Sequence, residues 1–379
     1  MENRKNTTRF LEFEFLKALA MLGLPLEHTL EAAIYENFAS ESLTAFSKDL
    51  YVIDIFGPSI FMICMGFGIG GGKVSATSTR KTGIQFLLIN AVLNLLRWFL
   101  PGVVKAVAIG SNLYVDFYYC FESDIYFFVG LFFILYSFIM RQRNASFRML
   151  LLSMVTLMID QLLMPVMANI EEPLLCGIVG NFVHVNDGSC FTLFSWAIFP
   201  TAGILLGETL KKNTNEFRED FMRKMTIFCG IFFVAFILFL LNYDVDVMKV
   251  LISPNNEYIT DLPNVLMLLS IAGVVIGGAY YLCRALSGTR LMEYALRLSS
   301  CIIPFYMLQW ILISWVFYAL VIFGMETGSF GFVHYIIIAV SSLAISLYVS
   351  MKYGMRLMRL LTKITCPRRK RKKGGKCNA

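Results

Sequence analysis

The sequence predicts an all-α, polytopic integral membrane protein with about ten transmembrane helices. Hydrophobic residues make up 57% of the 379 residues and charged residues only 16%, a balance far more apolar than that of soluble globular domains. Apolar stretches of about 20 residues, the length that crosses a bilayer as a helix, recur from one end of the chain to the other. They leave no room for a soluble catalytic domain, so any chemistry is expected inside the membrane or in the loops.

The distribution of basic residues predicts the orientation of these helices. Spans are expected over residues 10–33, 50–72, 82–100, 122–140, 146–168, 191–210, 225–242, 263–284, 300–323 and 333–352. Lysine and arginine concentrate in alternate connections, and the positive-inside rule makes that side, with both termini, cytoplasmic. Residues 1–352 are expected to form one transmembrane domain, whose first span is retained because no signal-peptide cleavage site follows the polar start. Residues 353–379 are expected to form a basic cytoplasmic tail, which favours anionic membrane lipids over nucleic acid.

The first predicted span carries ionisable residues, which are costly in a membrane and usually functional. At about 100° per residue, Glu14, Lys17 and His28 lie within about 60° of one another on the helix. At about 1.5 Å per residue, Lys17 and His28 are about 16 Å apart along the axis, comparable to the length of a pantetheine arm. Glu27 points about 100° away from His28 and is expected to face another partner or the outer interface. Pro25 is expected to kink the helix just before His28.

Few other residues offer chemistry at membrane depth. The chain has three histidines, His28, His184 and His334, and only His28 falls in the core of a predicted span. A histidine base in the membrane core can therefore only be His28. Asp160 lies in the middle of a predicted span and Asp124 near a boundary, and each is either a cavity-lining group or a structural hydrogen-bond partner.

The cysteines and small residues give weaker signals. None of the nine cysteines has Cys-x-x-Cys or Cys/His spacing, so no metal site is expected. Cys176 and Cys190 share one predicted external loop and could pair in an oxidising compartment. The second predicted span holds Gly66, Gly68 and other small residues, which fit either close helix packing or a groove for a substrate chain.

Arg9, Glu14, Lys17 and His28 resemble, in register, the first span of the transmembrane acyltransferase superfamily. This superfamily includes the acyltransferase 3 and the heparan-alpha-glucosaminide N-acetyltransferase-like families. Its first span usually has aspartate at the place of Glu14 and more often arginine at the place of Lys17, and both replacements keep the sign of the charge.

The resemblance extends to later spans, at Pro58 in the second, in the segment that begins at Asp124, and at residues 199–207. In the ninth span, Tyr306 and Gln309 stand at the places of the tyrosine and histidine of a late Ser…Tyr-Leu-x-His segment. An amide can hydrogen-bond but cannot titrate, so the acid–base role of that histidine is expected to be missing. By this resemblance, Asp124, Tyr306 and Gln309 are candidate cavity-lining residues, together with Asp160.

The resemblance implies an acyltransferase of a bacterial plasma membrane that moves an acyl group, such as acetyl, from cytoplasmic acyl-CoA to an extracytoplasmic carbohydrate or glycolipid. The donor phosphates would lie among Arg9, Lys17, Arg80 and Lys81, of which the last two stand where the superfamily often has Arg-x-x-Arg. His28 would act as a general base on the acceptor or carry the acyl group itself, while Glu14 holds Lys17 or Arg9. No resident cofactor is implied, the expected partners are acyl-CoA, the acceptor and membrane lipids, and a homo-oligomer is left open.

Two other classes of function remain open. Intramembrane acids and a polar helix stripe also suit a proton-coupled transporter or flippase, although the two halves of the chain show no internal repeat. A catalytically degenerate subunit or sensor would fit Gln309 and the shortened Arg80-Lys81 pair. Release of thiol from acetyl-CoA that depends on His28 would separate the three classes.

Overall fold

The computed structural model describes residues 10–54, 56–72, 74–121, 124–167, 169–170, 172–185, 190–243, 247 and 261–365. These residues form helices and their connections, with one isolated parallel bridge between Ala39 and Phe330. The helices are α1 Leu11–Tyr35, α2 Glu41–Asp54, α3 Phe56–Ile69, α4 Ala76–Asn94, α5 Leu100–Ile109, α6 Leu113–Tyr118, α7 Ile125–Ile139, α8 Ala145–Met167, α9 Pro173–Val179, α10 Leu193–Trp196, α11 Ile198–Lys211, α12 Asn215–Asn242, α13 Leu262–Ala285, α14 Arg290–Ser300, α15 Ile302–Ile322 and α16 Phe332–Thr365.

The all-helical prediction is confirmed for these residues, and so is the multi-pass character. Within the described ranges, eight helical stretches are long and apolar enough to cross a membrane: Ala76–Ile109, Tyr119–Ile139, Ala145–Met167, Leu193–Lys211, Asn215–Asn242, Leu262–Ala285, Ile302–Ile322 and Phe332–Leu361. α1 has the length to cross but carries ionisable residues, and α3 is apolar but only 14 residues long.

The described helical residues of the predicted span 50–72 belong to α2 and α3. Two other predicted boundaries are wrong. The span 82–100 is part of a longer helical stretch, with a wider π turn at Leu95–Phe99 just before Pro101, a residue that cannot donate to the preceding turn.

The second error is at the C-terminal end, where α16 continues past residue 352 to Thr365. The first 13 residues assigned to the tail therefore extend a helix. Their apolar side chains recur at helical spacing, and Leu361 packs against the main core. Residues 366–379, which include the most basic part of the tail, lie outside the described residues.

α1 lies at the centre of the helix arrangement. Among the described residues it packs against six other helices, namely α2, α3, α13, α14, α15 and α16. It is continuous through Pro25, and Thr29 Oγ1 donates to the Pro25 carbonyl at 2.6 Å. Because neighbours cover α1 on several sides, its polar residues meet protein rather than lipid.

The glycines of α3 serve helix packing. A Cβ atom on Gly66 would overlap the carbonyl of Pro200 in α11, and one on Gly203 would overlap the carbonyl of Ile63. Nothing lies within 4 Å of the Cβ position of Gly68. The close approach of α3 and α11 thus requires glycine at specific positions, as in other closely packed membrane helices. The N-terminal half of α3 has a different role, which is to line a cavity.

Candidate functional site

A cavity of about 470 Å³ runs beside α1. Its wall includes residues of α1 from Leu16 to Glu36, which span about 30 Å at the helical rise. Most of the remaining wall is aliphatic or aromatic. The polar and ionisable groups on the wall include Glu27, His28, Glu31, Glu36, Arg97, Asp124, Tyr126, Tyr306 and Ser314. An apolar cavity with a few polar groups is typical of small-molecule sites.

His28 is held on this wall by two contacts with α15. Its imidazole stacks on the Trp310 ring, with the ring centroids 3.9 Å apart and the planes 22° from parallel. Its Nδ1 lies 2.6 Å from Nε2 of Gln309, which is fully buried. Tyr306 approaches the imidazole edge-on, with the centroids 5.8 Å apart. The orientation of the ring is therefore fixed, while its other nitrogen is not engaged by Gln309.

Gln309 can influence the tautomer of His28, although its neutral amide cannot titrate. An amide group contains both a donor and an acceptor, so the same contact can serve either tautomer of the imidazole. With the Gln309 carbonyl turned toward Nδ1–H, the second ring nitrogen, Nε2, keeps its lone pair and can accept a proton. Gln309 cannot titrate, but it can set which nitrogen of His28 is basic.

Arg97 and Asp124 form an ion pair on the same wall. Arg97 Nη1 lies 2.8 Å from Asp124 Oδ2, and both side chains are at most 4% exposed. The π turn carries Arg97, whose Nε donates to Asn94 Oδ1 at 3.0 Å. Asp124 also caps α7 by accepting from the Tyr126 amide, and it accepts from the Tyr306 hydroxyl at 3.1 Å. Asp124 thus joins three helical segments at the cavity.

The sequence analysis missed Arg97. Its signal was available, because a single arginine inside an apolar stretch is a functional candidate by default. Its partner could not be predicted from the sequence. Asp124 is 27 positions later, and only the packing of α4 on α7 brings the two helices together.

Glu27 was expected to face away from His28, and this prediction is wrong. Glu27 is 7% exposed and lies on the cavity wall with His28 and Glu31. One side-chain ligand atom from each of these three residues lies within 4.8 Å of those of the other two. Oxygen and imidazole nitrogen atoms at this separation can hold a metal ion, whereas the cysteine spacing had suggested no such site.

The charged residues at the N-terminal end of α1 lie apart from the cavity wall. Lys17 Nζ lies 3.0 Å from Glu14 Oε1, with side chains 22% and 28% exposed, and Ser299 donates to Glu14 Oε2. Arg80 and Lys81 are exposed near the start of α4, and neither lines the cavity. Arg9 lies outside the described residues.

Asp160 does not line the cavity, although it was a candidate for it. It is 1% exposed, and its Oδ1 accepts from the backbone amide of His184 at 2.8 Å. Its role is to hold the connection after α9 against α8. In the same region, the structure does not join Cys176 to Cys190, and Cys176 Sγ donates to the Ile170 carbonyl at 3.1 Å.

Comparisons of the chain with protein-family models, with curated proteins and with solved structures returned no match in any of the three. The functional argument therefore depends on the geometry of the cavity and on the residue pattern of α1.

Proposed function

We propose that the protein is a membrane-embedded acyltransferase that moves an acyl group, such as acetyl, from cytoplasmic acyl-CoA to an acceptor on the other side of the membrane. The observation that carries the proposal is the cavity along α1, with the imidazole of His28 fixed on its wall. His334 is exposed, and His184 lies in a connection between helices, so neither is an alternative base at this depth.

In this proposal His28 is the general base. Its Nε2 takes the proton of the acceptor hydroxyl as the oxygen attacks the thioester carbonyl. The tetrahedral intermediate then collapses, the carbon–sulfur bond breaks, and the departing thiolate takes the proton back from the imidazolium. The products are an acyl ester and free CoA, so atoms and charge balance. The sequence resemblance favours a carbohydrate or glycolipid as the acceptor.

The donor is proposed to enter at the end of the cavity near Leu16. Lys17 lies one residue further along α1, about 16 Å from His28, and remains the nearest candidate for a phosphate contact. Arg80 and Lys81 are candidates for the part of the donor outside the membrane, since both are exposed.

The orientation is part of the proposal. The connection that contains Asn215 is basic, and the one that contains Asn112 is not, so the positive-inside rule makes the first cytoplasmic. In intact cells, an impermeant thiol reagent is expected to label Asn112→Cys above the wild-type level and to leave Asn215→Cys at that level. The reverse labelling would reject a cytoplasmic entry for the donor.

The activity is tested with purified protein, radiolabelled acetyl-CoA and an assay for free thiol. Wild type is expected to release CoA and to label a lipid or carbohydrate fraction of the membrane. His28→Ala is expected to lower the rate per folded molecule by about 10² to 10⁴, the usual contribution of a general base. His334→Ala is the matched control, because it removes an exposed histidine.

Undiminished transfer by His28→Ala would reject the mechanism. A second candidate, a proton-coupled carrier, is favoured by the buried Arg97–Asp124 pair beside Glu27 and Glu31. It predicts the opposite result, in which no thiol is released and a proton gradient drives solute into proteoliposomes.

A further inference from the structure

We propose that Glu27, His28 and Glu31 form a binding site for a divalent transition-metal ion, with Zn²⁺ as the probe ion. The site uses one imidazole nitrogen and two carboxylates of α1, and its remaining coordination positions open to the cavity. This site goes beyond acyl transfer and does not depend on it.

The spacing of the three residues fits a site built on one helix. Glu27 and Glu31 are four residues apart and His28 and Glu31 are three apart, and both spacings bring side chains together on a helix surface. Metal sites in helical bundles use glutamate and histidine at the same spacing. In a tetrahedral zinc site, metal–ligand distances of about 2.0 to 2.2 Å place the ligand atoms about 3.4 Å apart. The ligand atoms of Glu27, His28 and Glu31 lie within 4.8 Å of one another, so small side-chain rotations bring them to this spacing.

Charge favours an ion at this place. Two carboxylates that lie within 4.8 Å of each other beside an apolar cavity repel, and low local dielectric strengthens the repulsion. A divalent cation offsets both charges.

One buried polar group gives independent support, and the position of Gln309 is consistent with the site. A metal-binding histidine normally donates its other N–H to a carbonyl or carboxylate, and the Gln309 amide, turned so that Oε1 faces Nδ1–H, supplies that acceptor. Ser314 is 4% exposed and lies on the cavity wall, and its Oγ is without a partner in the described part of the chain. A bound ion with its water ligands would supply one.

The mixed donor set selects the type of ion. Imidazole favours zinc and its neighbours in the first transition row, whereas Mg²⁺ and Ca²⁺ prefer all-oxygen sites. A zinc ion on Nε2 would occupy the nitrogen that the proposed acyl transfer uses as its base. The ion and the proton of the acceptor would then compete for the same lone pair.

The test is zinc binding to the full-length protein in detergent, with the thiols alkylated because the chain has nine cysteines. Wild type is expected to retain one Zn²⁺ in equilibrium dialysis and to give a Co²⁺ spectrum without thiolate charge-transfer bands. Gln309→Leu is expected to weaken binding by about 10- to 100-fold, the usual loss for a supporting residue. Glu31→Gln removes a ligand and is expected to lose at least as much.

Glu36→Gln is the matched control, because it neutralises a glutamate on the same helix and the same cavity wall but outside the cluster. It is expected to bind zinc as wild type does. If Glu31→Gln does not fold, Glu31→Asp compared with Glu36→Asp tests the same point, and only the first is expected to weaken binding.

Absence of zinc binding by wild type, or equal binding by the Glu31 and Glu36 variants, would overturn the site. The assay contains neither donor nor acceptor, so its failure is separate from failure of the acyl-transfer proposal. A protein that binds zinc and transfers no acyl group even after the ion is removed with EDTA would reject only the transferase.

Discussion

The two ends of α1 use charged residues in different ways. At the N-terminal end, which the proposal makes cytoplasmic, Glu12 is 1% exposed and meets Arg218 at 2.6 Å, while Glu14 pairs with Lys17. At the other end, Glu27 and His28 are also buried but lie on the wall of a cavity. The first set joins α1 to its neighbours, whereas the second presents acids and a base to a space that can hold a ligand.

The difference shows that burial of a charge is not sufficient to define a functional site. Glu12 is more buried than Glu27, yet its carboxylate accepts from Arg218, whose guanidinium also packs on the Phe10 ring, 4.2 Å from the ring centroid. What separates the two ends is the adjacent space. Buried ionisable groups beside a cavity are candidates for chemistry, and those enclosed by partners are candidates for stability.

The largest expected effect concerns the cavity end. Arg97→Met should leave the Asp124 carboxylate buried without its cation, and removal of one partner from a buried pair costs about 3 to 5 kcal/mol. The free energy of unfolding in detergent is the quantity to measure. Arg97→Met combined with Asp124→Asn should recover much of the loss, because asparagine is neutral and still caps α7. An Arg97→Met protein as stable as wild type would mean that this pair is not structural.

A smaller effect is expected at the cytoplasmic end. Arg218→Met should lower the free energy of unfolding by about 2 to 3 kcal/mol, less than for a fully enclosed pair because the Arg218 side chain is 13% exposed. Acyl transfer per folded molecule should not change, since Glu12 and Arg218 are away from the cavity wall. Arg223→Met on the same helix is the control, because its side chain is 64% exposed and an exposed ion pair should contribute little to stability. Loss of transfer without loss of stability would reverse the roles assigned to the two ends.

Several features of the cavity end could be predicted from sequence. His28 was identified because the first span contains one histidine and because helical periodicity fixes its face. Asp124 and Tyr306 were named as cavity-lining candidates, and both lie on the wall. The predictions for His28 and Asp124 depend on local periodicity and on the rarity of ionisable residues in a membrane, whereas Tyr306 was named through the family resemblance.

Other features depend on packing and were not predictable. Asp160 and Asp124 are both acids at membrane depth, but only the fold shows that Asp160 holds the His184 backbone while Asp124 meets Arg97. Glu27 was misassigned because a separation of about 100° on a helix was treated as a different environment. A cavity that covers a wide arc of α1 accepts both Glu27 and His28.

The smallest expected effect on stability is at Lys17. Its ion pair with Glu14 is partly exposed, so Lys17→Ala should change the free energy of unfolding by at most about 1 kcal/mol. In the acyl-transfer proposal the same change should raise the KM for acetyl-CoA and leave kcat nearly constant, because the cation meets a donor phosphate far from the reacting carbonyl. Lys17→Arg should restore most of the donor affinity, since either cation can bind phosphate. Glu14→Gln should give a milder rise in KM, because it releases the cation without removing it.

The control is Lys224→Ala, which removes a 73% exposed lysine from another ion pair and should leave KM unchanged. A normal KM in Lys17→Ala would place the donor elsewhere and leave the cytoplasmic end of α1 with a purely structural role.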